Sequence, residues 1–576
     1  MKTTLWRLHH STLTLVCVVA MLAAIGLAPD RAEAQTAGGQ AAQKARKPYN
    51  ILFIICDQEQ FRLLAAPGYS LPARERLREK GIAFQNHYIA SAMCSPSRAS
   101  FLTGLPPQRH GVFDQMEYPF TPTLNPALPN MGSVLKSLGY NTAYYGKYEM
   151  DKSILAVKDT TNYSTALQPY GFDAFSAGGE IGSKPDAGFQ NDSFTAGEAL
   201  RRLRTSAMKT DGKPFFLVAS FVNPHDIMYG DANIPGHPVV QKGLDAGELT
   251  GPPSDVLFLK DWNFKLPVSL SEDINATGFP AALEEYRAGW SMGLGEIPQG
   301  REDMWRRFNN LYLNLLRDND RTLSDLLSTI DEMDLWKNTI VVFTADHGEM
   351  GGSHGGLRGK GPFGYEENSK VPFIIVHPDY PAGTSDVLTS HLDLLPTFIG
   401  LTGLPAAQRE AAAKGLPGHD FSATLAPDQR QNVHAVREGV LFNYVGPSTI
   451  ERNFCAQCLV PGNAEAKALT NVKPYLDKRG FLTFVCDGRY KFARYYAPND
   501  FNTPKTIDEI FQHNDVQLFD LQEDPNEMKN LALDREANKD LILRMNGLLN
   551  DLMAKEVGVN DGGFLPEVIR PASVSK

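Results

Sequence analysis

Residues 50–56, N-I-L-F-I-I-C, constrain the fold more than any other part of the chain. After the first residue the run holds only apolar side chains, with no in–out alternation. A strand of that kind needs cover on both faces, as in a parallel sheet flanked by helices. Residues 339–344, T-I-V-V-F-T, repeat the pattern, and residues 373–376 repeat it more briefly. Helical periodicity lies between these runs, over residues 124–138 and over a longer span, 305–333. Strands alternating with helices predict an α/β fold with a mainly parallel central sheet.

The chain has 576 residues, and at roughly 150 residues per domain that length would suggest three or four domains. Its 56 basic and 66 acidic side chains give a formal net charge of −10. Broad nucleic-acid binding needs a basic excess to neutralise phosphates, so that class is excluded. Lys2 and Arg7 precede an apolar run at residues 13–27, and Ala32-Glu33-Ala34 offers a small-x-small cleavage site. Residues 1–34 therefore read as a secretory signal, and the alternative is a retained anchor. The apolar core falls short of the ~20 residues of a spanning helix. Residues 35–47 read as a flexible lead-in. No later stretch is long and apolar enough to span a bilayer, so an exported protein, periplasmic or secreted, without stable membrane insertion is expected.

From residue 228 to about 300 the texture turns rich in Gly, Pro and Asp, which predicts an irregular insertion. Such an insertion acts as a lid or specificity loop, or is plain surface decoration. Past residue 424, short β-like runs at 439–444 and 481–485 precede a helical pattern at 539–552. This reads as a smaller C-terminal α+β subdomain over 425–576.

Both buried strands run into acidic residues, Asp57-Gln58 after the first and Asp346-His347 after the second. In open α/β sheets ligands bind outside the carboxyl ends of the strands. The two pairs either hold a hard divalent cation or cap the turns that follow. Cys94-Ser95-Pro96-Ser97-Arg98, continuing to Leu102-Thr103-Gly104, predicts a short helix from about Pro96 to Gly104. Cys94 then stands at a helix N-terminus, where backbone N–H groups favour an anion. By itself that arrangement also suits an ordinary thiol nucleophile.

The segment resembles the C-x-P-S-R-x-x-x-L-T-G signature of the type I sulfatases, in which the cysteine is oxidised enzymatically to formylglycine. The resemblance covers most of the mature chain. Residues 50–57 are similar to the family's opening strand and first metal ligand. Gly139-Tyr140-Asn141-Thr142 with Gly146-Lys147 is similar to the segment that supplies a sulfate-binding lysine. Asn223-Pro224-His225 resembles the N-P-H whose histidine contacts the sulfate, and Asp346-His347-Gly348-Glu349 resembles the second metal strand. Lys360, ahead of Tyr365-Glu366-Glu367-Asn368, stands where the second sulfate-binding lysine is expected.

The resemblance implies an alkaline-phosphatase-like α/β sandwich with one large catalytic domain, residues 48–424. It also implies hydrolysis of sulfate esters, with a carbohydrate or aryl sulfate as substrate and a formylglycine-generating enzyme as maturation partner. Calcium is the implied cofactor, with manganese or magnesium as alternatives, held by Asp57, Gln58, modified Cys94, Asp346 and His347. The hydrated formylglycine would attack sulfur, Lys147, His225 and Lys360 would bind the sulfate, and His225, together with Lys360, would also protonate or stabilise the departing alcohol. Arg98 would orient the modified residue, or else be a plain helix-surface cation.

Three positions depart from the family pattern. Gln58 stands where many members have a second aspartate, and His347 where some have Asn. Members usually read G-K-W-H where this chain reads Gly146-Lys147-Tyr148-Glu149. That histidine helps deprotonate the diol as sulfate leaves, so Glu149 is expected to tune the elimination step or the substrate range. Two rival readings stand beside the sulfatase: a phosphonate monoester or phosphodiester hydrolase of the same superfamily, and a catalytically weak binding protein.

Outside the motifs, Cys56 reads as a buried small hydrophobe at a strand end. A disulfide joining two of Cys455, Cys458 and Cys486 is expected in an exported chain. Trp262 and Trp290 would stack on a sugar or aryl group, or belong to the core. His354 is near the metal strand in sequence only.

Overall fold

Alternate residues of the first strand face two different cores. In β1 (Asn50–Asp57), Ile51, Phe53 and Ile55 enter one apolar cluster, while Leu52, Ile54 and Cys56 enter another on the opposite face. Cover on both faces is why the run shows no polar alternation. The computed structural model describes residues 48–64, 66–155, 163–176, 184–207, 211–244, 249–459 and 474–570. The expected signal at 1–34 and the lead-in at 35–47 lie outside the described residues.

The remaining strands are β2 (Ile82–Tyr88), β3 (Asn141–Gly146), β4 (Ala174–Ser176), β5 (Phe215–Pro224), β6 (Thr339–Ala345), β7 (Phe373–Val376), β8 (Gly383–Ser390), β9 (Val440–Tyr444), β10 (Phe481–Cys486), β11 (Tyr490–Tyr496) and β12 (Asp515–Asp520). Eight form one sheet in the order β4-β3-β5-β1-β6-β7-β2-β8. All neighbours in it are parallel except β7, which runs antiparallel to both β6 and β2. The carboxyl ends of β1, β2, β3, β5 and β6 therefore lie along one edge.

Helices cover both faces. One face receives Phe101 and Leu102 from the helix Cys94–Thr103, Met131 and Leu135 from Met131–Ser137, and Leu394, Leu395 and Phe398 from Leu394–Leu401. The other receives Ala199 and Leu203 from Ala187–Ala207, and Leu323, Leu326 and Ile330 from the 31-residue helix Glu302–Glu332. The long helix matches the periodicity at 305–333. The pattern at 124–138 forms a helix only over Met131–Ser137. Pro126 and Pro129 interrupt it upstream, and Asn130 closes a capping box with Ser133.

A four-stranded antiparallel sheet, β12-β11-β10-β9, lies C-terminal to the large one. One of its faces packs on the helix Lys539–Leu552 through Val485, Phe492, Ile542, Met545 and Leu549. Its other face shares a core with Tyr88, Ile89 and Met93 of the segment leading to Cys94.

The span 228–300 is less irregular than its composition predicts, because it ends in a helix, Ala281–Leu294. Its glycines obscure the helical pattern, yet Gly289 has a packing reason. A Cβ there would lie 2.6 Å from Cys455 Cβ, where this helix meets the helix Arg452–Leu459. Among the described residues no helix is long and apolar enough to cross a membrane.

The expected disulfide is absent among the described residues: Cys455, Cys458 and Cys486 are free thiols. Cys455 is packed against Gly289, while Cys486, at the end of β10, has its thiol 3.6 Å from the Tyr88 hydroxyl. Different elements thus claim the two side chains. Cys56 is buried as expected, but in polar company: its thiol lies 3.1 Å from Asn319 Oδ1, and Arg74 Nη2 lies 3.5 Å from its sulfur.

Candidate active site

Five strand ends deliver the site. Asp57 closes β1, Lys147 follows β3, His225 follows β5, Asp346 and His347 follow β6, and Cys94 follows the short connection from β2. The turn after β3 depends on a glycine. Gly146 has φ 96°, and a Cβ on it would lie 1.9 Å from the Ser220 carbonyl oxygen of β5. That close approach lets the chain cross the sheet edge and carry Lys147 inward.

The helix beginning at Cys94 is buried along its whole length. It starts two residues before the proline that predicted it, since a proline in the first turn removes an N–H that lacks an intrahelical partner anyway. Ser95 N–H donates to Gln115 Oε1 at 3.0 Å, and the helix ends at Gly104, whose N–H donates to Ser100 O. The Ser97 hydroxyl donates to the Asp346 carbonyl and ties the helix to the end of β6.

Asp57, Cys94, Asp346 and His347 are all fully buried, and one donor atom from each lies within 4.8 Å of the others. Cys94 Sγ is 3.2 Å from His347 Nε2, 3.6 Å from Lys147 Nζ and 3.8 Å from Asp57 Oδ1. Arg98 reaches across both carboxylates, 3.1 Å from Asp57 Oδ2 and 2.9 Å from Asp346 Oδ2. It is a buried ion-pair partner rather than a surface cation. Lys147 Nζ lies 2.6 Å from Asp57 and 3.1 Å from Glu149. The Lys147 carbonyl is pinned by Arg98 Nη1, Ser220 Oγ and the Tyr144 hydroxyl at 2.9, 2.8 and 2.6 Å.

Gln58 sits differently from the metal-facing position expected of it. Its φ is 69°, and its side chain spans two other groups: Lys360 Nζ donates to Oε1 at 2.7 Å, and Nε2 donates to Glu349 Oε2 at 2.5 Å. Glu349 Oε1 in turn accepts from the N–H groups of Gly351 and Gly359, at 2.9 and 2.8 Å. Glu349 thereby holds the loop that carries Lys360. Sequence reasoning missed its role and that of Ser220, although a lone serine inside apolar β5 and the acid of the D-H-G-E quartet were both visible.

Burial alone would raise the Asp57 carboxyl, but Lys147, His225, Arg98 and His347 hold it well below the ordinary carboxylate range. Burial and the charge of Asp57 push Asp346 up to about 7. His225 is pushed well down by burial, Lys147 and Lys360, and its buried Nδ1 has no hydrogen-bond partner. Burial pushes Glu149 up to about 7 against the pull of Lys147. The Cys94 thiol is driven well up by burial and by Asp57, away from thiolate character.

Two buried carboxylates and an imidazole nitrogen converging on one point suit a divalent cation. The charges agree. Arg98 and Lys147 are paired with Asp57, Asp346 and Glu149, and Lys360 is held by the Gln58 amide beside Glu349, so a cation would tip the pocket towards an anionic ligand. The sequence model of the sulfatase family matches residues 49–404.

This chain belongs to the sulfatase family.

Sulfatases of the family are sulfuric ester hydrolases, and family membership implies a metal and a formylglycine at this centre. A delta 4,5-hexuronate-2-O-sulfatase of Bacteroides thetaiotaomicron is 24% identical, over 90% of this chain and 91% of that protein. The structure of a 2-O GAG sulfatase superposes with a TM-score of 0.61 at 22% identity, covering 89% of this chain and 93% of its own. A phosphonate monoester hydrolase from Silicibacter pomeroyi superposes with a TM-score of 0.59 at 18% identity, over 88% and 96%. The large mainly parallel sheet with a smaller antiparallel sheet is the sulfatase architecture within the alkaline-phosphatase-like superfamily.

His354 and the tryptophans occupy other places. The His354 ring stacks on Tyr365 with centroids 3.5 Å apart, and its Nδ1 lies 2.8 Å from Glu272. Trp290 is buried against Tyr286, and Trp262 Nε1 donates to Asn314 at 2.9 Å.

Proposed function

We propose that this sulfatase is exported and hydrolyses sulfate esters of carbohydrates, using Cys94 converted to formylglycine and a calcium ion. The observation that carries this reading is the setting of Cys94. Its sulfur is buried at the start of a buried helix, within 3.8 Å of Asp57, Lys147 and His347. The raised thiol is the opposite of an activated cysteine nucleophile, which supports a role for Cys94 as the precursor of another group. Formylglycine in its hydrated form supplies the nucleophilic oxygen, and the cation makes that oxygen easier to deprotonate and offsets the sulfate charge.

Asp57, Asp346 and His347 would hold the cation, together with an oxygen in the place of the Cys94 sulfur. Gln58 would act on the sulfate side instead, by accepting from the Lys360 ammonium group and holding it in place. Arg98 positions the centre by pairing with both carboxylates. Lys147 and Lys360 present ammonium groups to the sulfate oxygens in a site shielded from water, where such interactions strengthen. The neutral imidazole of His225 stands beside the two lysines, and the negative charge of a bound ester raises its proton affinity for service to the departing oxygen. Glu149 accepts a proton at Oε2, the atom without a partner, as sulfate is expelled.

A carbohydrate substrate is supported by the hexuronate-2-O-sulfatase relative. Export is supported by residues 1–34, and a formylglycine-generating enzyme would be the maturation partner. A phosphonate monoester hydrolase shares the fold, so parallel rate assays decide the ester. Hydrolysis of a sulfated uronate or aryl sulfate, faster than that of the matched aryl phosphonate and phosphodiester, is expected. A higher kcat/KM for the phosphonate would overturn the reading.

A further inference from the structure

A cavity of about 260 Å³ lies beside the loop that carries Lys360, lined by Tyr286, Arg287, Trp290, Trp305, Gly356 and Arg358 among others. It stands apart from the cluster around Cys94 and shares no residue with it. Its cation is unusual. Arg358 is 6% exposed, Nη2 donates to the Gly295 carbonyl, and Nη1 is buried without a hydrogen-bond partner. Among the described residues no carboxylate pairs with it. Glu296, the acidic residue of the lining, is exposed.

A buried guanidinium with an open donor is costly unless something pairs with it. Among the other buried arginines, Arg98, Arg74 and Arg437 each pair with two carboxylates, while Arg430 donates to the carbonyls of Leu425 and Pro381 and Arg494 to the amide oxygens of Asn546 and Asn550. Arg358 instead borders a cavity, with its guanidinium carbon 5.9 Å from the Trp290 ring centre. Burial holds its proton affinity down, to about 10, against the opposing pull of Tyr286, Glu349 and Glu296. Arg287 adds a second positive group, fixed by Glu284 at 2.7 Å and by the Gly355 carbonyl at 3.1 Å. Two tryptophans, two arginines, Ser291 and Gln299 in one recess combine apolar faces with oxyanion donors.

We propose that this cavity is a second anion-binding site, which takes a carboxylate or sulfate oxyanion on Arg358 with any attached sugar ring against the tryptophan walls. The occupant would be either the free inorganic ion or an acidic sugar. The cavity is coupled to the loop of Lys360, since the Tyr286 hydroxyl on its wall donates to the carbonyls of Lys360 and Arg358 at 2.8 and 3.2 Å. Binding there is independent of the chemistry proposed at Cys94.

Tryptophan fluorescence of the full-length mature protein, titrated with glucuronate, sodium sulfate and glucose, tests the site. A saturable response to glucuronate or to sulfate is expected, and glucose should give none. The tighter of the two anions identifies the occupant as sugar-borne or free. Arg358→Met should weaken the response at least tenfold, as loss of a charge-assisted hydrogen bond implies. Glu296→Gln, at an exposed position, should leave it intact or tighten it. Ser291→Trp fills the recess without touching Arg358 and should abolish the response, which keeps the test decisive if Arg358→Met does not fold. A flat wild-type response to both anions, equal binding of glucose, or unchanged affinity in Ser291→Trp would overturn the proposal.

Discussion

Lys147 Nζ lies 3.1 Å from Glu149 Oε1, while Oε2 of the same carboxylate is buried with no hydrogen-bond partner. A buried glutamate thus stands beside the lysine of an anion site with one oxygen neutralised and the other unengaged. Burial, the largest influence, puts its carboxyl at about 7, so it is neutral below that pH and ionised above it. The wild-type kcat profile should therefore carry a limb centred near pH 7 that rises with pH as Oε2 becomes able to accept a proton. Glu149→Gln should remove the limb and lower kcat about 10²-fold, the usual scale of a lost general base, and Glu149→His should restore much of the rate. Unchanged profiles in both variants would take Glu149 out of the chemistry.

Asp57 and Asp346 share one guanidinium, that of Arg98, and the pair is better balanced with a cation present. Chelation should abolish activity and calcium should restore it. Calcium at a hundred times its Kd should stabilise the fold by about 2.7 kcal/mol, read as a rise in Tm. Asp346→Asn should weaken the calcium dependence of Tm at least tenfold in concentration. A melting curve indifferent to both chelator and calcium would contradict the metal centre.

His354 ties the span 228–300 to the catalytic body. Its Nδ1 meets Glu272 at 2.8 Å, its Nε2 lies 3.6 Å from Glu367, and its N–H donates to Ser269 Oγ. Burial opposes the charged ring, but Glu272 and Glu367 raise it to about 9. A raised histidine contributes stability that is fully present below its unfolded pKa of about 6.5 and lost as pH climbs through about 9. His354→Gln should accordingly lower Tm at pH 6, by up to about 3 kcal/mol of stability, and have far less effect at pH 10. An equal loss at both pH values would assign the histidine to packing on Tyr365 instead.

The central strands were legible because burial on both faces leaves a run such as residues 50–56 with no polar residue to hide the signal. The Cys94 helix was legible for a related reason: its start and its αL stop at Gly104 are local. Less could be read where long-range packing decides. The glycines of Ala281–Leu294 argued against a helix, and only the approach of Cys455 explains Gly289. Gln58 follows a strand ending in a metal-type acid, and nothing in the sequence says that its left-handed backbone turns the amide to Lys360 and Glu349. Cys455 and Cys486 look like disulfide partners in composition, yet they belong to different packing contacts.

The state of residue 94 decides the account most directly. Mass spectrometry of the tryptic peptide containing Cys94, from protein purified from its native host, should find an aldehyde in place of the thiol. That peptide should react with a hydrazine probe and resist alkylation by iodoacetamide. An alkylatable, unmodified Cys94 in fully active enzyme would contradict the formylglycine mechanism.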